Sequence, residues 1–301
     1  MKKFIIIAAC LLASCAPQEV KTPDTVKAVQ QVNSSTEVAN QQAELTINEV
    51  LIDERLVEQL FGSVFTAATE EQLEEILIQQ LSTFDQRIGV IYTGEVIPTS
   101  AVDSIMNKLV NEQDVINGTL YTSDYFVSEL EDSYFIDINS KFMTNKIEMA
   151  SIIPARDALL DSLQLNGKTE REKLELIHRA VIEGMDYAYN EDKMLNHSPA
   201  AFFLYERGVC QAYAMAMYML LTEAGIETRF VGGELKTAIE KDTRHAWNLV
   251  KIDGVWRHVD STLNDRGNAF DNQVSKAYYL LTDELMSGTH IWEQKYYPEA
   301  K

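Results

Sequence analysis

Gly208-Val209-Cys210-Gln211-Ala212-Tyr213-Ala214-Met215-Ala216-Met217-Tyr218-Met219-Leu220-Leu221-Thr222-Glu223-Ala224-Gly225 is the stretch on which the reading of this chain turns. It is apolar nearly all round, which predicts a helix without a polar face, and such a helix belongs in the middle of a fold. Gly225 supplies its stop. Cys210 stands at the first turn, where unpaired backbone N–H groups and the helix dipole favour negative charge. A thiol placed there is biased toward the thiolate, the nucleophilic form. Cysteine is also a common small hydrophobe of protein cores. Its neighbours decide between the two readings.

Those neighbours lie downstream. Arg244 to Ile252 and Val255 to Thr262 read as strands flanking Asp253-Gly254, the preferred pair for a type I′ turn. With Ile252 opposite Val255, the register carries Asp260 opposite Trp247 and His245 opposite Thr262. His245 and Asp260 then share a sheet face as diagonal neighbours, about 7–8 Å apart at the backbone, within reach of one side-chain hydrogen bond. A one-residue slip would put them on opposite faces. Cys210, His245 and Asp260 therefore read as a catalytic set: thiol nucleophile, imidazole base and the carboxylate that fixes the base's tautomer. His258 lies on the Asp260 face and is the rival base, placed second because it sits beyond Asp260 from His245. His178 reads as a structural helix residue. His197, in a loop before a cap, and His290, in a C-terminal turn, are read as open to surface positions.

Metal and cofactor motifs are not found. There is no His-Glu-x-x-His, no paired-cysteine motif, no EF-hand loop, and no Walker or dinucleotide glycine pattern. The expectation is no metal and no cofactor.

The beginning of the chain speaks to location. Met1-Lys2-Lys3 is a short basic start, and Phe4 to Leu12 is an apolar run too short to stay as a spanning helix, the pattern of a secretory signal. Leu12-Ala13-Ser14-Cys15 resembles the bacterial lipobox. The expectation is a signal peptide over 1–14, lipidation at Cys15, a disordered tether over 15–44, and an extracytoplasmic protein held on a membrane of the cell envelope. Of the three cysteines, Cys10 would leave with the signal and Cys15 would carry the lipid. That leaves Cys210 without an intramolecular disulfide partner, and an unpaired thiol in an exported protein points to reactivity. The formal net charge is −20, or −22 once Lys2 and Lys3 are gone, with 24 basic against 46 acidic residues. Such a balance argues against nucleic acid as a partner.

Between the tether and the cysteine helix the chain alternates helical and strand patterns. Helices are expected near Asn48–Leu60, from Thr69 to Leu81, from about Ser100 to a stop at Asn117-Gly118, and from Thr144 to Leu165 with Pro154 kinking or dividing it. Strands are expected over Arg87–Val96 and as two runs within Tyr121–Ser140. Residues 45–165 thus form a small α/β domain with a packing or targeting role, and 166–301 the domain that carries the chemistry. Thr169 and Glu172 have capping-box spacing ahead of a helix to about Glu183. Ser198-Pro199 opens a short helix that Gly208 closes.

Taken together, the cysteine stretch, Ala224-Gly225-Ile226, His245-Ala246-Trp247-Asn248, Asp253-Gly254-Val255-Trp256 and Val259-Asp260-Ser261-Thr262 resemble the bacterial branch of the transglutaminase-like superfamily. The likeness runs over roughly 168 to 298 and includes Tyr279 to Glu284 and His290-Ile291-Trp292. It implies an α+β, papain-like core in which the cysteine helix packs on an antiparallel sheet carrying the histidine and aspartate. Cys210, His245 and Asp260 correspond to the family's triad. Ser261 departs from the proline of many relatives. Family activities include glutamine–lysine cross-linking, peptide or amide hydrolysis and, in some members, no catalysis. The implied function is that of a cysteine acyltransferase or peptidase acting on amide bonds of a protein or peptide, with envelope proteins or peptidoglycan peptides as candidate substrates. The alternative is an inactive module that binds peptides in the envelope.

Overall fold

The computed structural model describes residues 64–95, 99–188, 193–236, 243–265 and 276–301. The expected signal, Cys15, the tether and the helix near Asn48–Leu60 lie outside them. Two antiparallel-rich sheets, each covered by helices, give an α+β architecture.

The first sheet has the order β1-β2-β4-β3. β1 (Val64–Ala67) runs parallel to β2 (Arg87–Tyr92), and α1 (Glu70–Ser82) makes the crossover. Thr69 caps α1 by accepting from the Gln72 N–H, and Leu73, Leu77 and Leu81, four residues apart, bury one face. In β2 the alternation of Ile88, Val90 and Tyr92 is buried as period-two spacing dictates. α2 (Thr99–Glu112) and α3 (Asp114–Thr119) follow, then the hairpin of β3 (Leu120–Glu129) and β4 (Tyr134–Phe142).

Here one expectation fails. Asn117-Gly118 is no helix stop: the break comes at Gln113, and Gly118 lies inside α3. Its glycine serves close packing, because a Cβ there would overlap the Met215 sulfur.

The second half starts with α4 (Lys146–Ser162), capped by Asn145, whose side chain accepts from the N–H groups of Ile147 and Glu148. Pro154 sits inside α4 without dividing it. α5 (Glu170–Glu183) opens with the expected capping box of Thr169 and Glu172. β5 (Asp186–Tyr187) pairs in parallel with β6 (Arg207–Gly208), and α6 (Pro199–Phe203) lies between them. α6 ends at Phe203, so Gly208 belongs to β6 and does not close the helix.

α7 (Cys210–Glu223) is buried on nearly every side, with Ala212, Tyr213, Ala216, Met217, Leu220 and Leu221 fully enclosed. Gly225 ends it with a left-handed φ of 82°. It packs on a five-stranded sheet of order β10-β9-β8-β7-β11, formed by β7 (Thr228–Leu235), β8 (Arg244–Ile252), β9 (Val255–Val259), β10 (Tyr279–Leu281) and β11 (His290–Ile291). Every pairing in it is antiparallel. Short helices α8 (Ser261–Asn264) and α9 (Asp283–Met286) flank β10 in sequence.

The β8–β9 register is the one derived from the turn: Ile252 pairs with Val255 and Asn248 with Val259. Asp253 (φ 53°) and Gly254 (φ 79°) both adopt the left-handed conformation that a type I′ turn needs. β9 is shorter than expected, however. It stops at Val259 because Asp260 becomes the N-cap of α8, accepting from the Leu263 N–H, and this lifts Ser261 and Thr262 off the sheet. The ladder ends at Asn248–Val259, so neither Asp260 with Trp247 nor His245 with Thr262 forms a pair; on the other side of β8, His245 pairs with Gly233.

Candidate active site

Each member of the expected set owes its place to a local structural rule. Cys210 is the first residue of α7, after Val209 as N-cap, and no side chain caps this end. His245 lies near the start of β8, paired with Gly233 of β7 and beyond the end of the β8–β9 ladder. Asp260 sits where β9 turns into α8, its Oδ1 spent on the Leu263 N–H at 3.0 Å and its own N–H on the Tyr278 carbonyl at 2.9 Å. The other oxygen, Oδ2, faces the ring of His245, with Nε2 at 2.7 Å. The Cys210 thiol is a hydrogen-bonding neighbour of the same ring. Since Nε2 is turned to Asp260, Nδ1 is the nitrogen left for the sulfur. The structure thus brings Cys210, His245 and Asp260 together in one chain of contacts, with exposures of 7%, 4% and 0%.

The electrostatics follow from that chain. Burial works against charge on His245, but the Asp260 carboxylate, its hydrogen bond and the Cys210 sulfur outweigh it and raise the imidazole from 6.5 to about 10. Burial likewise opposes ionisation of Asp260, yet His245, the His290 N–H and the Leu263 N–H hold it well below the ordinary carboxylate range. The proton between the two residues therefore rests on His245 across the neutral range.

The remaining histidines sort cleanly. His258, the rival base, accepts from Trp247 Nε1 on its Nδ1 (2.9 Å) and pairs through Nε2 with Asp283 (2.8 Å). Burial pushes it down to about 4 despite Asp283. It is a neutral strut. His178 is the structural residue expected of it: fully buried, with Nε2 3.1 Å from the Asn264 amide, and pushed down to about 4 chiefly by burial. His197 is buried and not a surface residue, since the turn at 194–197 packs beside the start of α7 through the Val209 N–H to Asn196 carbonyl bond.

His290 departs most from expectation. It is 1% exposed, and its Nε2 lies 3.1 Å from Asp260 Oδ2, the oxygen that also faces His245. Strand β11 carries it there by pairing with β7 at the far edge of the sheet from β10. A two-residue strand has no periodicity to detect, so the sequence signal was limited to the His290-Ile291-Trp292 cluster itself. The ligand-type atoms of His245, Asp260 and His290 lie within 4.8 Å of one another, a grouping that would suit a cation. At 2.7 and 3.1 Å their spacing is that of two N–H groups donating to one carboxylate oxygen.

Residues 157–261 match the family model of the transglutaminase-like superfamily. This stretch is a transglutaminase-like core. It contains α5 to α7, β7 to β9, and all three members of the expected set. Among solved structures the chain is similar to a TGase (TM-score 0.36, 12% identity, covering 70% of this chain and 61% of that one). It is also similar to a proposed cysteine protease from Cytophaga hutchinsonii (TM-score 0.29, 19% identity, 43% and 52%). A third is a proposed protease from Parabacteroides distasonis (TM-score 0.28, 8% identity, 57% and 39%). The chain thus spans less than two thirds of the length of each. No curated protein matches it.

Proposed function

We propose that the transglutaminase-like core is a cysteine enzyme acting on amide bonds of a protein or peptide, with Cys210 as nucleophile, His245 as acid–base and Asp260 as its orienter. One observation carries the reading: a buried imidazole bound to a carboxylate through Nε2, with the helix-start thiol of Cys210 interacting with the same ring. Sγ attacks the amide carbonyl carbon, and the uncapped N–H groups at the start of α7 lie where a tetrahedral oxyanion can be stabilised. The proton held on His245 passes to the departing amine, leaving a thioester on Cys210. Water or a second amine then attacks the thioester, giving up its proton to His245, and the thiol is regenerated. Hydrolysis and acyl transfer share every step but the last.

The lipobox-like Leu12-Ala13-Ser14-Cys15 motif supports an extracytoplasmic enzyme held by lipid in the bacterial cell envelope, with envelope proteins or peptidoglycan peptides as its substrates. The acidic balance favours cationic over anionic partners.

The test is the pH dependence of Cys210 alkylation by iodoacetamide, with His245→Ala alongside. An ordinary thiol, titrating at about 8.5, reacts roughly two-hundred-fold slower at pH 6 than at pH 9. The native protein is expected to keep most of its rate at pH 6, and His245→Ala to lose it. An ordinary profile, or no labelling of the native fold, would overturn the reading.

A further inference from the structure

Asp260 is held by more than the residue it is meant to orient. Its two oxygens have three donors: the Leu263 N–H on Oδ1, and His245 and His290 on Oδ2. One carboxylate oxygen accepts from two rings only if both present Nε2–H to it. For His290 the neighbouring side chain is compatible with this: Thr289 Oγ1 lies 2.8 Å from Nδ1, and its hydroxyl, which also reaches the Met286 carbonyl at 3.5 Å, can donate there. His290 then carries a proton on Nε2, the nitrogen that faces Asp260. The ring plane is fixed by edge contacts to Trp247 (4.7 Å between centroids) and Tyr278 (5.7 Å).

We propose that His290 is a positioning residue for the triad: its Nε2–H locks the rotation of the Asp260 carboxylate, and through it the ring of His245. The proposal rests on the reading of Cys210, His245 and Asp260 given above and extends the machinery beyond the matched stretch, which ends at residue 261. Without His290, the Leu263 N–H on Oδ1 is the one donor besides His245 itself that resists turning of Asp260, and Oδ2 can leave the plane of the His245 ring. Gly233 belongs to the same device. A Cβ at this position would overlap the Ile291 carbonyl and the Trp247 ring, so glycine is what lets β11 approach β7 closely enough to deliver His290. A buried histidine with a purely packing role would need shape alone. A positioning role needs a donor aimed at Asp260.

The experiment separates shape from donation. His290→Gln keeps an amide N–H able to reach Asp260, whereas His290→Leu keeps bulk and removes the donor. In the intact protein, the ring N–H of His245 is followed by proton NMR with labelled histidine, iodoacetamide alkylation of Cys210 is timed at pH 7, and Tm is recorded. The His245 N–H signal is expected to be sharp and exchange-protected in the native protein. In His290→Leu it should broaden or vanish, with alkylation slowed about tenfold, the scale of one lost hydrogen bond to a charged group. His290→Gln should recover most of both. A folded His290→Leu with an unchanged His245 signal and rate would overturn the proposal, and so would equal losses in the two variants. If His290→Leu does not fold, Thr289→Val decides. It removes the hydroxyl that holds Nδ1 and so frees the His290 ring to turn its Nε2–H from Asp260; it should weaken the His245 signal, and an unchanged signal counts against the proposal. An ordinary alkylation profile in the native protein would sink the catalytic reading alone, since the NMR comparison still reports whether His290 holds Asp260.

Discussion

Replacing Asp260 by Asn removes one charge and keeps the side chain's shape, so its consequences can be worked bond by bond. The amide oxygen can retain the Leu263 N–H on the Oδ1 side. The amide NH2 then occupies the place of Oδ2 and donates where the carboxylate accepted, so each imidazole must offer it a bare Nε2. His290 can comply, because the Thr289 hydroxyl beside its Nδ1 can accept as readily as donate. His245 complies only by giving up its Nε2 proton. It then keeps a single proton on Nδ1, and the positive charge that faces the Cys210 sulfur is lost. Two charge-assisted bonds become neutral ones, for a net loss of about 1–3 kcal/mol in stability. Asp260→Ala, which leaves two buried rings without an acceptor, should cost more, about 3–5 kcal/mol.

The pH dependence has a definite sign. His245, raised from 6.5 to about 10, contributes stability that is complete below 6.5 and is lost as pH climbs toward 10. Asp260, depressed below its ordinary 3.8, contributes stability present above that value and lost as pH falls. The stability gap between native protein and Asp260→Asn, measured by urea unfolding, should therefore be widest between about pH 4 and 6.5 and narrow on either side. Alkylation of Cys210 at pH 7 should fall about thirtyfold in the variant, the ratio expected when an imidazolium-supported thiolate reverts to an ordinary thiol. A folded Asp260→Asn protein that alkylates at the native rate would refute the assignment of Asp260 as orienter.

Two further substitutions test neighbouring parts of the argument. His258→Phe should leave the alkylation profile of Cys210 unchanged while costing about 1–3 kcal/mol in urea unfolding, because the buried Trp247 N–H loses its acceptor; an abolished profile in a folded protein would make His258 the base. Gly233→Ala should cost about 1–3 kcal/mol by overpacking against Ile291 and Trp247. It should also slow Cys210 alkylation, since β11 cannot shift without carrying His290 with it, and a stability loss with no change in rate would break that link.

How much of this was legible in the sequence depended on the range of the signal. Where one rule acts over a few residues, the reading held: Asp253-Gly254 dictated a type I′ turn, and the turn dictated which residues of β8 and β9 pair. The all-round apolar pattern of α7 likewise announced its burial. The errors arose where one residue could serve two local rules. Asn117-Gly118 has the local pattern of a helix stop, but the role of Gly118 is to make room for Met215. Asp260 was read as a strand residue when its carboxylate also caps α8 and ends β9. The contact of His290 with Asp260 is illegible for a different reason: the two are thirty residues apart, and a short edge strand brings them together, a pairing no local pattern encodes.

The same reasoning bears on residues 64–145, in which the sequence offers no catalytic motif. Three contacts tie this layer to the core beside Cys210. The Gln211 amide, one residue after Cys210, donates to the Gly118 carbonyl at 2.9 Å. Asp114, at the start of α3, receives Arg229 Nε on both oxygens at 2.9 Å and the Phe230 N–H at 2.9 Å, so it grips β7 where that strand leaves α7. Asn117 receives no such charge but meets the Tyr297 hydroxyl at 3.3 Å, and through it the C-terminal segment that also carries His290. Helix α3 thus touches the first turn of α7, the strand beside β8 and the C-terminal segment at once. A layer anchored at those three points limits how far Cys210, His245 and His290 can drift apart, and the proposed chemistry, which demands placement within a fraction of an ångström, needs such support.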